Sequence, residues 1–138
     1  MAYKASKKKA ADSSRIVPAG VYTVALKKAE KKMTQSGSGA YLAMEFVIVK
    51  PKKYKKRRVF ENLNLDNMNE QAVEIAERLL NQLMLAAGMT VLDSKWDVSP
   101  LYGIKVKARI GIEEDKQYGP KNRIRGFIFD EADEDIPF

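Results

Sequence analysis

Seven basic residues fall within the nine positions from Lys50 to Arg58, where Lys50, Lys52, Lys53, Lys55, Lys56, Arg57 and Arg58 surround Tyr54. Like charges at this density repel one another, so such a run is costly to hold together without an anionic partner. Two further basic sets alternate along the chain, Lys105, Lys107 and Arg109 in one stretch and Lys121, Arg123 and Arg125 in another. Aromatic residues are interspersed with them: Tyr41, Tyr54, Phe60, Tyr118 and Phe127. Phosphates call for diffuse positive charge and unpaired bases call for a flat surface to stack on, so cations interleaved with rings suit a single-stranded nucleic acid. Each group also has a plainer role open to it. Phe60 fits equally well as a core residue, and Lys107 and Arg109 fit the wet face of a sheet. Trp96, in a mixed stretch, reads as a core anchor.

The chain ends on charge of the opposite sign. Asp130 to Phe138 holds five acids and no base, and closes on Ile136-Pro137-Phe138. Proline stiffens this last peptide and presents two apolar side chains beside the terminal carboxylate, which suits a pocket lined by Arg or Lys. The expected partner-binding residues are Asp133, Glu134, Asp135, Ile136, Pro137 and Phe138. The whole chain of 138 residues has 25 Lys and Arg against 18 Asp and Glu, a net charge of +7, and the body ahead of the tail is more basic still. A basic body joined to an acidic tail predicts two binding surfaces of opposite sign.

Other chemistries lack their residues. Cysteine and histidine are both absent, which excludes disulfides, the usual zinc sites and His-based triads, and makes a reducing cytoplasm the natural setting. No phosphate-binding glycine loop, nucleophile elbow or zinc-protease helix motif occurs. Glu113-Glu114-Asp115-Lys116 brings carboxylates near a lysine, as in magnesium nucleases, but in a stretch that reads as a charged turn. The expectation is no enzyme, no catalytic or metal-binding residue and no cofactor. No apolar run approaches the roughly 20 residues of a membrane span, and the basic N-terminus has no apolar segment after it.

The elements that must position these residues are short strands. Period-two alternation predicts a strand from Gly20 to about Lys32, with Tyr22, Val24 and Leu26 on one face. A second strand carries Leu42, Met44, Phe46 and Ile48 and is ended by Pro51. A third runs from Val59 to Leu65. Asn67, with Glu70 three residues on, predicts the start of a helix over about 68–87, its apolar stripe made of Ala72, Ile75, Ala76, Leu79, Leu83 and Ala86. Gly88 stands where a C′ glycine belongs. Strands four and five follow over 104–113 and 122–129. Three strands, a helix and two strands predict a mainly β domain, a five-stranded OB-fold barrel with one helix between strands 3 and 4. The organisation expected is a flexible basic arm over 1–15, with Lys4, Lys7, Lys8 and Lys9, the OB domain over 16–129, and the acidic tail over 130–138.

The ending Asp133-Glu134-Asp135-Ile136-Pro137-Phe138 is similar to the acidic tip of bacterial single-stranded-DNA-binding proteins. The body resembles a bacteriophage family of single-stranded-DNA-binding proteins with an OB-fold. The similarity lies in Gly37-Ser38-Gly39-Ala40-Tyr41-Leu42, Phe46-Val47-Ile48, Arg58 through Leu65, Ala72 through Ala76 and Asn122 through Phe127. The resemblance implies coating of single-stranded DNA in phage replication or recombination, with the tail recruiting replication or recombination proteins. The long flexible linker of the bacterial proteins is missing, so the tail's reach is short. The DNA-contact residues expected are Lys50, Lys52, Lys53, Lys55, Lys56, Arg57, Arg58, Lys105, Lys107, Arg109, Lys121, Arg123 and Arg125 for phosphates. Tyr41, Tyr54, Tyr118 and Phe127 are expected to stack. An RNA- or duplex-binding module and a protein-interaction adaptor fit the same charge pattern, and a homo-oligomer is compatible with all of them.

Overall fold

The structure, a computed structural model, describes residues 2–3, 16–117 and 119–129. Among the described residues, five strands and one α-helix make up the domain: β1 (Gly20–Met33), β2 (Ala40–Lys50), β3 (Arg58–Asp66), α1 (Glu70–Ala86), β4 (Lys105–Asp115) and β5 (Gly119–Ile128). All neighbouring strands are antiparallel, in the order β3-β2-β1-β4-β5. The protein is thus mainly β, with its helix between strands 3 and 4 as the pattern of turns and periods predicts.

The alternation read in the sequence decides which face is inside. Tyr22, Val24 and Leu26 of β1, Leu42, Met44, Phe46 and Ile48 of β2, and Val106, Ala108 and Ile110 of β4 are all buried in one core cluster. β1 is the strand shared by both halves of the sheet. Its first half pairs with β4 and nearly all of it pairs with β2, with register shifts around Thr23/Val24 and Leu26/Lys28 that bend it. Past the end of its pairing with β4, the edge of β1 is covered by a side chain. The Tyr102 hydroxyl accepts from the Ala29 N–H at 3.0 Å and donates to the Ala29 carbonyl at 3.2 Å.

The barrel does not close. β3 and β5 are the two edges of the sheet, and no backbone ladder joins them. Side chains span the gap. Glu61 of β3, buried at 4% exposure, accepts from the backbone N–H of Ile124 at 2.8 Å. It also accepts from Arg123 Nε at 2.8 Å and Nη2 at 3.1 Å. Nearer the helix, Gln82 accepts from the N–H of Phe127 at 3.0 Å. Two β5 edge donors that a β3 backbone would have taken are therefore satisfied by a glutamate and a glutamine. At the far end Asn122 of β5 binds the incoming chain, accepting from Val17 N–H at 2.8 Å and donating to the Val17 carbonyl at 2.9 Å.

The helix packs against β3 and β5 and buries Ala76, Leu80 and Leu83. Its buried stripe is rotated from the one read in the sequence, because Ile75 is exposed and Leu80 takes a core position. Its N-cap is Asn69, not Asn67. The Asn69 side chain accepts from the N–H groups of Gln71 and Ala72, while Asn67 accepts from the N–H of Asn69. Gly88, at φ 78°, ends the helix with bonds from its own N–H to Leu85 and from Met89 to Met84, the paired closure that a C′ glycine permits. Asn69→Ala removes the acceptor for two first-turn donors and is expected to cost about 1 kcal/mol, measured as a lower midpoint of urea unfolding.

Candidate nucleic-acid interface

The sheet register brings together basic groups that are far apart in sequence. Thr23 of β1 is opposite Lys50 of β2 on one side and Lys107 of β4 on the other. Neighbouring strands lie about 4.8 Å apart, so Lys50 and Lys107 stand about 10 Å from each other across one threonine. Ala25 is opposite Lys105 and Val21 is opposite Arg109, and Lys105, Lys107 and Arg109 are all exposed. Arg125 of β5 lies over Gly111, where a side chain at that glycine would come within 2.7 Å of its guanidinium Nε. From Lys50 the band passes into the β2–β3 connection, a short 3-10 turn at Lys52–Tyr54, and reaches Arg58 at the start of β3. Among the described residues, Lys50, Lys52, Lys55, Lys56, Lys105, Lys107, Arg109 and Arg125 form no ion pair with an acid.

Other expected contacts are committed elsewhere. Arg123 donates to Glu61 and, through Nη1, to both oxygens of Glu113 at 3.0 and 3.1 Å. The hydrogen bond to Glu61 is the largest cause that raises its pKa, against the opposing effect of burial. It is a structural cation that holds the seam, not a phosphate ligand. Lys121 lies 3.8 Å from Asp115, and Arg58 lies 3.5 Å from Glu45 while remaining half-exposed. Glu113 and Asp115, two of the three carboxylates of the nuclease-like run, are thus engaged by β5 cations.

The aromatic set is reordered more strongly. Phe127 is 6% exposed and its ring lies 5.6 Å from that of Phe46, so it is a core residue with no face left for a base. Tyr54 packs edge-on to Tyr22 at 5.9 Å and joins the rim of the core, so the one ring in the basic loop anchors that loop. Tyr22 itself is buried, which together with the neighbouring Tyr54 pushes its phenol above the usual range. Tyr41 is half-buried on the outer face of β2, opposite Lys32. Tyr118 and the tail residues Asp133–Phe138 lie outside the described residues, as do Lys4 and Lys7–Lys9 of the arm. Trp96 is half-buried against the core, with Lys31 Nζ 4.5 Å from its ring centroid.

Phe60 is the ring that sequence reasoning undervalued. It is 58% exposed on the outer face of β3, between Arg58 and Asn62. Its position two residues from Arg58 and two from Asn62, alternating with the buried Val59 and Glu61, is the signal that places it outside. It lines both a groove of about 470 Å³ along the β3–β5 seam and a second of about 230 Å³ over β1 and β2. The neighbouring Glu45 carboxylate is held by Arg58 and by Lys27 at 4.0 Å, so negative charge beside the ring is offset.

Residues 2–135 match the model of a family described as a protein of unknown function (DUF669). The chain belongs to the DUF669 family. No curated protein matches it. No helix among the described residues is long and apolar enough to cross a membrane, and none of the described acids gather in a group that could hold a metal ion.

Proposed function

We propose that this protein binds single-stranded DNA through its backbone and bases with little dependence on sequence, in the setting of phage replication or recombination that the resemblance implies. The observation that carries the proposal is the register that sets Lys50 and Lys107 on either side of Thr23, merging the loop and the β4 cations into one band. The band leads through Arg58 to the exposed ring of Phe60, so a strand following the charge meets a stacking surface within one strand's width. A rigid duplex cannot offer an unstacked base to that ring, which favours a single strand over a duplex. β5 reaches Ile128, opposite Lys107, and in the sequence five acids follow between positions 130 and 135. In this reading the acidic tail would either meet a basic replication partner or compete with the strand.

Titration of a fluorescent oligo-dT strand at several salt concentrations tests this reading. Binding is expected to be saturable and to weaken steeply with salt. Phe60→Ala should lower affinity by about 1–3 kcal/mol, the typical worth of one stacked base, with the salt slope and the melting temperature unchanged. Equal affinity for duplex and single strand, or no saturable binding, would sink the proposal in favour of a duplex binder or a protein adaptor respectively.

A further inference from the structure

We infer that the groove between β3 and β5 is a pocket for one unpaired nucleobase, favouring adenine, which Asn62 and Asn64 read while Phe60 stacks on its face. This rests on the single-strand reading above and adds to it a preference that charge and stacking alone do not give. Phe60, Asn62 and Asn64 occupy alternate positions of β3, on its outer face, and all three line the groove of about 470 Å³. Side chains two apart on one strand face are about 7 Å from each other, which matches a ring and an amide engaging one stacked base. The volume lies within the ~300–1,000 Å³ typical of small-ligand pockets.

The amides are available. Neither the Asn62 nor the Asn64 side chain has a hydrogen-bond partner among the described residues, whereas Asn122 in the same groove is fully used in holding Val17 and the Gly111 carbonyl. Asn62 stays uncovered because its register partner on β2 is the small Ala43. The groove's charges are largely spent: Glu61 is matched by Arg123 in the wall, and at the rim Arg58 is paired with Glu45 and Lys121 with Asp115. A wall that presents neutral amides and an exposed ring recognises a base edge better than a phosphate. Each amide offers one donor beside one acceptor. Adenine's amino group has two hydrogens and a ring-nitrogen acceptor on either side, so two amides can engage both of its edges at once. Thymine has a single ring N–H for the same purpose, and guanine's second edge carries two acceptors and no donor.

The full chain is titrated with three fluorescent strands of equal length: all-dT, dT with one central adenine, and dT with one central abasic site. The single-adenine strand is expected to bind about 5- to 150-fold more tightly than all-dT, the discrimination usual for bidentate amide contacts. The double variant Asn62→Ala/Asn64→Ala should erase that difference, so that the single-adenine and all-dT strands bind alike, with the salt slope and the melting temperature kept. Equal binding of the all-dT and single-adenine strands by the native chain would overturn the pocket while leaving the single-strand reading standing. So would a preference that survives the double variant. If none of the three strands binds, the single-strand reading fails and the pocket fails with it.

Discussion

Glu61→Ala is expected to destabilise the protein by about 2–4 kcal/mol, because it strips the acceptor from a buried backbone donor and removes charge-assisted hydrogen bonds from a cation whose side chain is only 34% exposed. Few single substitutions away from the hydrophobic core should cost as much. Glu61 is 4% exposed and occupies three donors at once: Arg123 Nε, Arg123 Nη2 and the backbone N–H of Ile124. Alanine leaves the Ile124 N–H without an acceptor in a buried position, and Arg123 keeps only Glu113, whose side chain is 41% exposed. Against a total stability of about 5–15 kcal/mol for a typical domain, the loss would remove a large share. Urea unfolding followed by circular dichroism measures it. Glu61→Gln separates the two contributions, since the amide oxygen can still accept from Ile124 while the charge is gone. It should cost clearly less than alanine. If alanine changes stability by less than about 1 kcal/mol, side-chain bridging does not hold the seam and β3 and β5 must be joined in another way.

The second large effect concerns binding. Replacing Lys50, Lys107, Arg109 and Arg125 together by alanine should reduce single-strand affinity by roughly 600-fold at 0.1 M salt. That figure takes one phosphate per side chain and a log–log slope of about 0.7 for each. The same variant should lose about 3 from the magnitude of the slope, so that its affinity approaches that of the native chain at high salt. These four residues are exposed and form no ion pair with an acid among the described residues, so stability should hardly change. The comparison with Phe60→Ala is informative because stacking and counterion release leave different signatures. A ring deletion shifts the whole salt curve downward, whereas a charge deletion tilts it. If the quadruple variant keeps the native slope, the phosphates lie elsewhere on the molecule.

Much of the architecture was legible in the sequence because strand and helix periods are local properties. Val24, Leu42, Met44, Phe46 and Ile48 could be assigned to a core because the two-residue repeat fixes which side chains share a face. The helix and its closing glycine were legible for the same reason, since Gly88 is required by a local backbone geometry at φ 78°. The clustering of charge over 50–58 needed no structure either. The errors come where two local solutions compete. Asn67 and Asn69 are both good caps, and the choice between them depends on where β3 ends. Ile75 and Leu80 both fit an apolar stripe, and the packing of the helix against β3 and β5 selects Leu80.

For the candidate site the division is sharper. The sequence by itself determined that the chain is basic, that its cations come in three groups, that rings lie among them, and that cysteine and histidine chemistry is absent. Composition and short-range alternation are enough for that. Only the tertiary structure decided which groups meet. Lys50 and Lys107 are 57 positions apart and become neighbours only through the pairing of β1 with both β2 and β4. It also decided which members are spent. Arg123 alternates with Arg125 in sequence exactly as Lys105 does with Lys107, yet the open seam places two carboxylates against Arg123 and none of the described acids against Arg125. Phe127 and Phe60 both sit two residues from an arginine, and the sheet turns one toward the core and the other toward solvent. Period tells a side chain which face it shares with its neighbours. What lies opposite that face depends on contacts between distant segments, and those are set by the fold.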